Sequence, residues 1–398
     1  MTTETLTAPA RPSSRAEALK LASAPGQPHE IQTLDIAGVP QRVFVNAPRS
    51  LRELYEQTVS DKTFIVYEDE RLTFAEAHRQ AGRIAHLLVH RFGVAKGDRV
   101  AISMRNFPEW ILAFDAATSI GAIAVAMNAL WQPEEIDYGL RDSGAKVMFA
   151  DPERLDRLAR IRTMPEVQVI AVRAKETHAG ALHLEDLLAD LGDAPWPAAD
   201  IQPEDPATIF YTSGSTGHPK GVVSTQRNIL SALFSWEIDG RATALQTGIE
   251  PAEPAHQPGT LLGVPLFHVT GSHAVYLSSY RAQRRIVAMY KWDPELAAEL
   301  IEREKLTSVT APAAMTGDLV RVAKETSRDL SSLITVGGGG APRAPEQVKQ
   351  IGSSFAKAMP NTGWGMTETN AIGTGIGGPD YLDRPASSGR CASVLDLK

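Results

Sequence analysis

Residues 210–221 read FYTSGSTGHPKG. Four hydroxyl side chains, Thr212, Ser213, Ser215 and Thr216, are interspersed with Gly214 and Gly217, and Pro219, Lys220 and Gly221 follow. The preceding residues 207–211, ATIFY, have the β-branched and aromatic content of a strand. A strand that runs into a Gly/Ser/Thr loop with a lysine is built to hold phosphate. Glycine lets backbone N–H groups approach the anion, hydroxyls donate further hydrogen bonds, and the lysine adds a point charge. This is not the common P-loop, which needs G-x-x-x-x-G-K-[ST]. His218 and Pro219 separate Gly217 from Lys220, and Gly221 stands where Ser or Thr is required.

Two further segments offer nucleotide chemistry. Residues 333–342 read LITVGGGGAP. A buried strand at 333–336 is followed by Gly337, Gly338, Gly339 and Gly340, which remove every side chain so that a flat ring can lie against bare backbone. Alone, four glycines serve equally well as a flexible turn. Residues 363–369 read GWGMTET. Trp364 offers a large aromatic face, Thr367 a hydroxyl, and Glu368 a carboxylate of the kind Mg²⁺ takes together with phosphate oxygens. On its own this segment reads as a helix start capped by Thr367.

Taken together and in this order, the three segments resemble the signature of adenylate-forming (AMP-binding) enzymes: acyl-CoA synthetases, aryl-CoA ligases, luciferases and peptide-synthetase adenylation domains. Weaker similarities keep the same order: RLTFAE at 71–76, GDRV at 97–100, SGAK at 143–146, PLFH at 265–268 and SGR at 388–390. The resemblance spans residues 50–398. Two positions depart from the family pattern. Trp364 stands where tyrosine is usual, which keeps a stacking face, and Thr362 where Gln or Asn is frequent, which removes an amide contact.

The resemblance implies roles residue by residue. Thr212, Ser213, Gly214, Ser215, Thr216, Gly217 and Lys220 would hold the β- and γ-phosphates of ATP. Gly339, Gly340, Ala341, Pro342, Trp364, Gly365 and Met366 would seat adenine. Thr367 would contact the α-phosphate and Glu368 would hold Mg²⁺, so Lys220, Thr367 and Glu368 carry the catalytic expectation. His268, Gly271 and Ser272 would border the acid pocket. Coenzyme A is the implied co-substrate. The implied fold is α/β, with stacked, mostly parallel sheets covered by helices. The family also places a small C-terminal lid after the position of Arg390, with a ribose-binding aspartate, a hinge arginine and a catalytic lysine. With Lys398 ending the sequence, the expectation is the large N-terminal domain of such an enzyme without its lid. Thr316-Gly317-Asp318 spells the ribose tripeptide, but it precedes Trp364, so it is expected to be a helix-start turn.

Composition sets the outer bounds. A chain of 398 residues exceeds one small core, so two or more subdomains are expected. A net charge of −7 argues against nucleic acid as a partner. The single cysteine, Cys391, excludes an internal disulfide and a cysteine metal site, and suits a reducing, cytoplasmic setting. Ten histidines show no H-x-x-x-H or H-E-x-x-H spacing, and only His268 is singled out. Residues 1–45 are expected to be a flexible N-terminal tail, since 1–30 are rich in Thr, Ala, Pro and Ser. Residues 46–398 would then form the AMP-binding domain, with two α/β subdomains and possible homodimerisation. The apolar stretch 110–130 contains Asp115, Gly121 and Asn128, and reads as helix, turn and strand rather than a membrane span.

Helices at 77–90, 108–121 and 133–143 alternate with strands at 100–104, 122–127 and 146–150, the pattern of a mostly parallel sheet. Residues 177–206 read as a connecting surface, 240–259 as a long loop before a strand at 261–265, and 393–397 as a strand. No charged residue falls within 264–274 or 310–315, and Ala311, Ala313, Ala314 and Met315 are small or apolar. An apolar acid is therefore expected, a medium- or long-chain fatty acid first and an aryl or steroid acid second. A nucleotide-binding fragment without full turnover is the reading from another class.

Overall fold

The amphipathic segment after Thr73 folds as the helix Phe74–His90, which presents Phe74, Ala77, Ala81, Ile84, Ala85 and Leu88 to the core. Its start is fixed by a reciprocal cap. The Glu76 amide donates to Thr73 Oγ1 at 3.1 Å, and the Thr73 amide donates to Glu76 Oε2 at 2.8 Å. The next helix, Pro108–Ser119, is buried nearly all round. Such a helix belongs between two layers rather than on a surface, and it contacts strands of both sheets.

The computed structural model describes residues 11–178, 180–189, 191–212, 217–250 and 255–398. Its strands are β1 (Ile31–Ile36), β2 (Val39–Phe44), β3 (Thr63–Tyr67), β4 (Glu70–Thr73), β5 (Arg99–Ser103), β6 (Ile123–Ala126), β7 (Val147–Ala150), β8 (Gln168–Ala171) and β9 (Ala181–His183). Then come β10 (Pro206–Thr212), β11 (Lys220–Thr225), β12 (Gly259–Leu262), β13 (Arg285–Ala288), β14 (Ser308–Thr310), β15 (Thr335–Gly338), β16 (Met359–Gly365), β17 (Gly373–Gly377) and β18 (Arg390–Cys391). One sheet has the order β11-β10-β6-β5-β7-β8-β9 and is parallel except at β10–β11. The other has the order β18-β17-β16-β15-β14-β12-β13-β3-β4, parallel from β16 to β3 and antiparallel at both ends. The fold is thus the α/β arrangement of mostly parallel sheets with helices that the sequence implied. Among the described residues, no helix is long and apolar enough to cross a membrane.

Several expectations are corrected. Within the stretch assigned as a flexible tail, residues 11–45 hold the helix Arg15–Ala22 and the β1–β2 hairpin. Both pack on the long helix Gln226–Thr247: Arg15 pairs with Asp239 at 2.8 Å, and the Phe44 and Phe234 rings lie 5.6 Å apart. That helix runs on through Gly240, so the loop expected at 240–259 is shorter and begins at Gly248, whose φ of 69° ends the helix. The connection at 177–206 carries β9 and the helix Leu184–Ala189. The strand before the glycines is displaced to 335–338, because Leu333 closes a turn onto Leu330 and the first two glycines join the ladder. Residues 393–397 form no strand: Ala392 donates to Gly373 at 2.9 Å and the chain then turns.

Candidate active site

Each of the three motif segments lies at the carboxyl end of a strand, where α/β sheets bind ligands. β10 and β11 pair antiparallel with Thr212 opposite Lys220, so these two strands bracket the phosphate motif. Ser213, Gly214, Ser215 and Thr216 lie outside the described residues. The base of the loop is well anchored. Tyr211 donates to Asp142 Oδ2 at 2.7 Å, and the His218 ring stacks on Tyr138 at 4.8 Å. Gly217 has φ 103°, a left-handed value that favours glycine, and no atom of the described residues lies within 4 Å of a Cβ placed there. Lys220 is exposed at the start of β11, with no ion-pair partner among the described residues.

The glycine run lies beside the tryptophan segment. β15 and β16 are parallel with Gly338 opposite Thr362, which sets Gly339 next to Gly363. The four glycines divide into two kinds. A Cβ on Gly337 would lie 2.4 Å from Asn361 Oδ1, and one on Gly338 would lie 2.4 Å from Arg343 Nη2, so these two are packing glycines. Among the described residues, only the Gly363 carbonyl comes near a Cβ on Gly339, at 3.7 Å, and none comes near one on Gly340, whose φ is 77°. A bare shelf therefore runs from Gly339 to the exposed Ala341 and Pro342, beside a Trp364 that is 45% exposed. Beneath it Arg343, which is buried, donates to the Gly337 carbonyl at 3.3 Å, Thr316 Oγ1 at 3.1 Å and the Asn361 carbonyl at 3.3 Å. Thr316 is thus buried in the first turn of the helix Ala313–Glu325.

After Trp364 the chain folds back on itself. Ala371 donates to the Met366 carbonyl at 3.0 Å, Asn370 to the Thr367 carbonyl at 3.1 Å, and Met366 to Thr369 Oγ1 at 3.0 Å. Gly365 permits this, since a Cβ there would lie 2.3 Å from the Ala371 carbonyl oxygen. The turn projects an exposed Glu368, and Thr367 is half-buried beside it. The Thr367–Thr369 turn rests against β11, which brings Glu368 to the side of the phosphate-loop hairpin. Among the described residues, no group of three or more His, Cys, Asp or Glu side chains gathers into a metal cage. Glu368 alone fits the donor set of a Mg²⁺ that brings its phosphate and water ligands with it.

The segment with His268 forms the third wall. Asn106, buried after β5 of the other sheet, clamps its approach: it donates to the Val264 carbonyl at 3.0 Å and accepts from the Leu266 amide at 2.9 Å. His268 is exposed against Phe267, with ring centres 4.9 Å apart. The chain then enters a π-helix, Thr270–Leu277, a form that recurs at functional sites. Gly271 and Ser272 are both buried. A Cβ on Gly271 would lie 2.1 Å from the Pro265 carbonyl oxygen, so this glycine is required by close approach. Ser272 Oγ lies 3.1 Å from the His268 carbonyl and 2.8 Å from His273 Nδ1.

Sequence reasoning missed His273. Its ring is fully buried, packs edge-on to Phe210 at 5.3 Å, and reaches Asn370 Oδ1 from Nε2 at 3.2 Å. Burial lowers its pKa to about 4, with the Asn370 bond opposing the shift, so the ring is neutral. A neutral imidazole accepts from the Ser272 hydroxyl at one nitrogen and donates to Asn370 at the other. One side chain thus joins the strand entering the phosphate loop, the turn of Glu368 and the helix after His268. The only sequence signal was its place five residues after His268.

A family model described as AMP-binding enzyme matches residues 52–398. The chain is similar to a 4-coumarate–CoA ligase of rice, at 30% identity over 81% of this chain and 57% of that ligase. It is also similar to the long-chain-fatty-acid–CoA ligase FadD13 of Mycobacterium tuberculosis, at 30% identity over 83% of this chain and 61% of that ligase. It therefore spans rather more than half the length of these relatives. Among solved structures, an inhibitor-bound N-terminal domain of FACL13 from Mycobacterium tuberculosis superposes with a TM-score of 0.75, at 26% identity over 87% of this chain and 83% of that chain.

Proposed function

Because the chain belongs to the AMP-binding enzyme family, we propose that it activates an apolar carboxylic acid with ATP and that the acyl group passes on to coenzyme A. The carboxylate oxygen bonds to the α-phosphorus, the bond to the β-phosphate oxygen breaks, and pyrophosphate leaves. The thiol sulfur of coenzyme A then attacks the acyl carbon and AMP departs. Charge builds on phosphoryl oxygens throughout, so the residues act by positioning and electrostatic stabilisation. Lys220 supplies a cation to the terminal phosphates, Thr367 a hydroxyl to the α-phosphate, and Trp364 with the Gly339–Pro342 shelf seats adenine. Glu368 would hold Mg²⁺, which when bound would supply positive charge to offset that on the phosphates.

The observation that carries this proposal is a set of three solvent-facing groups at strand ends. Trp364 is exposed beside a side-chain-free shelf, and Lys220 and Glu368 are exposed on adjoining segments, β11 and the Thr367–Thr369 turn, whose bases are hydrogen-bonded. Such preorganised, solvent-facing groups suit an anionic ligand with a flat base. The substrate we assign is a medium- or long-chain fatty acid. Its support is the apolar wall at Ala311, which is buried, and Met315, whose methyl packs toward Gly263 beside Trp292. The 4-coumarate–CoA ligase similarity favours an aryl acid as the second reading. Thioester formation with coenzyme A, screened across octanoate, palmitate, 4-coumarate and a steroid acid, tests the assignment. Turnover confined to the aryl acid would replace the first reading by the second. ATP binding without product from any acid would leave a nucleotide-binding protein.

A further inference from the structure

Asn370 and Ala371 have φ values of 55° and 68°, two consecutive non-glycine residues in the left-handed region. Residues with a Cβ disfavour this conformation, and it persists only where surroundings over-determine it. Asn can relieve the strain by bonding its own backbone. Here that side chain is buried and engaged elsewhere, by His273 Nε2 at 3.2 Å. His273 is in turn fixed by Ser272 at 2.8 Å and by edge-on packing against Phe210, two residues before Thr212. The direction in which Thr367 and Glu368 leave the fold is set by this same Met366–Ala371 turn.

We propose that His273 is a positioning residue. Its bond to Asn370 holds the strained turn in the form that aims Glu368 at a nucleotide-bound divalent cation, and its packing on Phe210 ties that aim to the phosphate-loop strand. This rests on the role given to Glu368 above. A histidine that only filled the core would affect folding, and would affect nucleotide affinity equally with and without metal.

The test is calorimetric affinity for ATP, with and without Mg²⁺, in the wild type, His273→Phe, Asn370→Gly and the double variant. Phenylalanine keeps the packing on Phe210, and glycine keeps the left-handed turn while removing the amide. Each single variant should weaken Mg²⁺–ATP binding about fivefold, the effect of one lost hydrogen bond, and metal-free binding less than about twofold. The double variant should be no weaker than the worse single variant, because the two residues act as one unit. Should His273→Phe melt well below the wild type, His273→Gln retains a donor at similar reach and should restore the metal-dependent affinity. Equal losses with and without Mg²⁺, additive losses, or failure of the Gln variant to restore affinity would each overturn the proposal. If the folded wild type bound no ATP at all, the functional reading beneath it would fall as well. Wild-type binding with unchanged metal dependence in the variants would remove this inference alone.

Discussion

Asp115 offers a quantitative test of how the layer between the sheets is built. It lies in the buried helix Pro108–Ser119 and is 2% exposed. Its carboxylate accepts from Tyr280 at 2.5 Å and from Tyr276, and it takes part in no ion pair among the described residues. Tyr276 belongs to the π-helix that also carries Ser272 and His273, so this carboxyl anchors the back of the candidate site. Burial raises its pKa from 3.8 to about 7, and the tyrosine hydrogen bonds only partly offset this. The folded state therefore holds the proton more tightly than the unfolded chain. The stabilisation from this site is fully present below the unfolded value of 3.8 and is lost as pH rises through about 7. Between those limits stability falls by about 1.4 kcal/mol per pH unit, so about 3 kcal/mol disappears between pH 5 and pH 8. Asp115→Asn cannot ionise and lacks that slope. Urea denaturation of both proteins at pH 5, 6, 7 and 8 should show the variant gaining about 3 kcal/mol on the wild type across the range. A difference constant with pH would mean that Asp115 is ionised throughout in the folded state, and the burial argument would be refuted.

Other consequences are simpler to read. Lys220→Ala and Trp364→Ala should each weaken ATP binding about tenfold or more in calorimetry, as loss of a charged contact or a stacking face requires; unchanged affinity in either would remove that residue from the nucleotide site. Glu368→Gln keeps the shape and removes the ligand charge, so Mg²⁺-dependent ATP affinity should fall while metal-free affinity stays within about twofold; parallel losses would make Glu368 structural. Gly271→Ala places a Cβ 2.1 Å from the Pro265 carbonyl oxygen, and should destabilise the chain by about 1–3 kcal/mol through a forced backbone shift. Thermal melts unchanged by that substitution would show that the π-helix has room to yield.

The central elements were legible because their burial repeats locally. Phe74–His90 shows its core face at helical spacing, and β5, β6 and β7 are short apolar runs between helices. The errors at the N-terminus and in the long helix share one physical cause, long-range pairing. Residues 11–44 look polar and loose, yet they are held by partners near residues 234–239 and by Arg42 on Asp396. Gly240 ordinarily weakens a helix by about 1 kcal/mol, but here the N-terminal helix packs along Gln226–Thr247 and carries it through. In the site, the glycine run and the Trp-Gly-Met-Thr-Glu segment stood out through their order and resemblance to a family signature, whereas His273 and Asn370 did not. They stand 97 residues apart, and each is an ordinary polar residue until the fold joins them. The roles of the glycines were also only half visible, since a packing glycine such as Gly338 and an open one such as Gly339 look identical in sequence.

Acid-dependent exchange of labelled pyrophosphate into ATP tests the account most directly, because it reports reversible acyl-adenylate formation at the site of Lys220, Trp364 and Glu368 and needs no coenzyme A. The account predicts exchange that requires Mg²⁺ and an apolar acid, rises with a fatty-acid substrate, and drops at least about a hundredfold in Lys220→Ala, as loss of a charged contact in phosphoryl transfer implies. Exchange no greater than the acid-free background across fatty and aryl acids, from a folded chain that binds ATP, would contradict it.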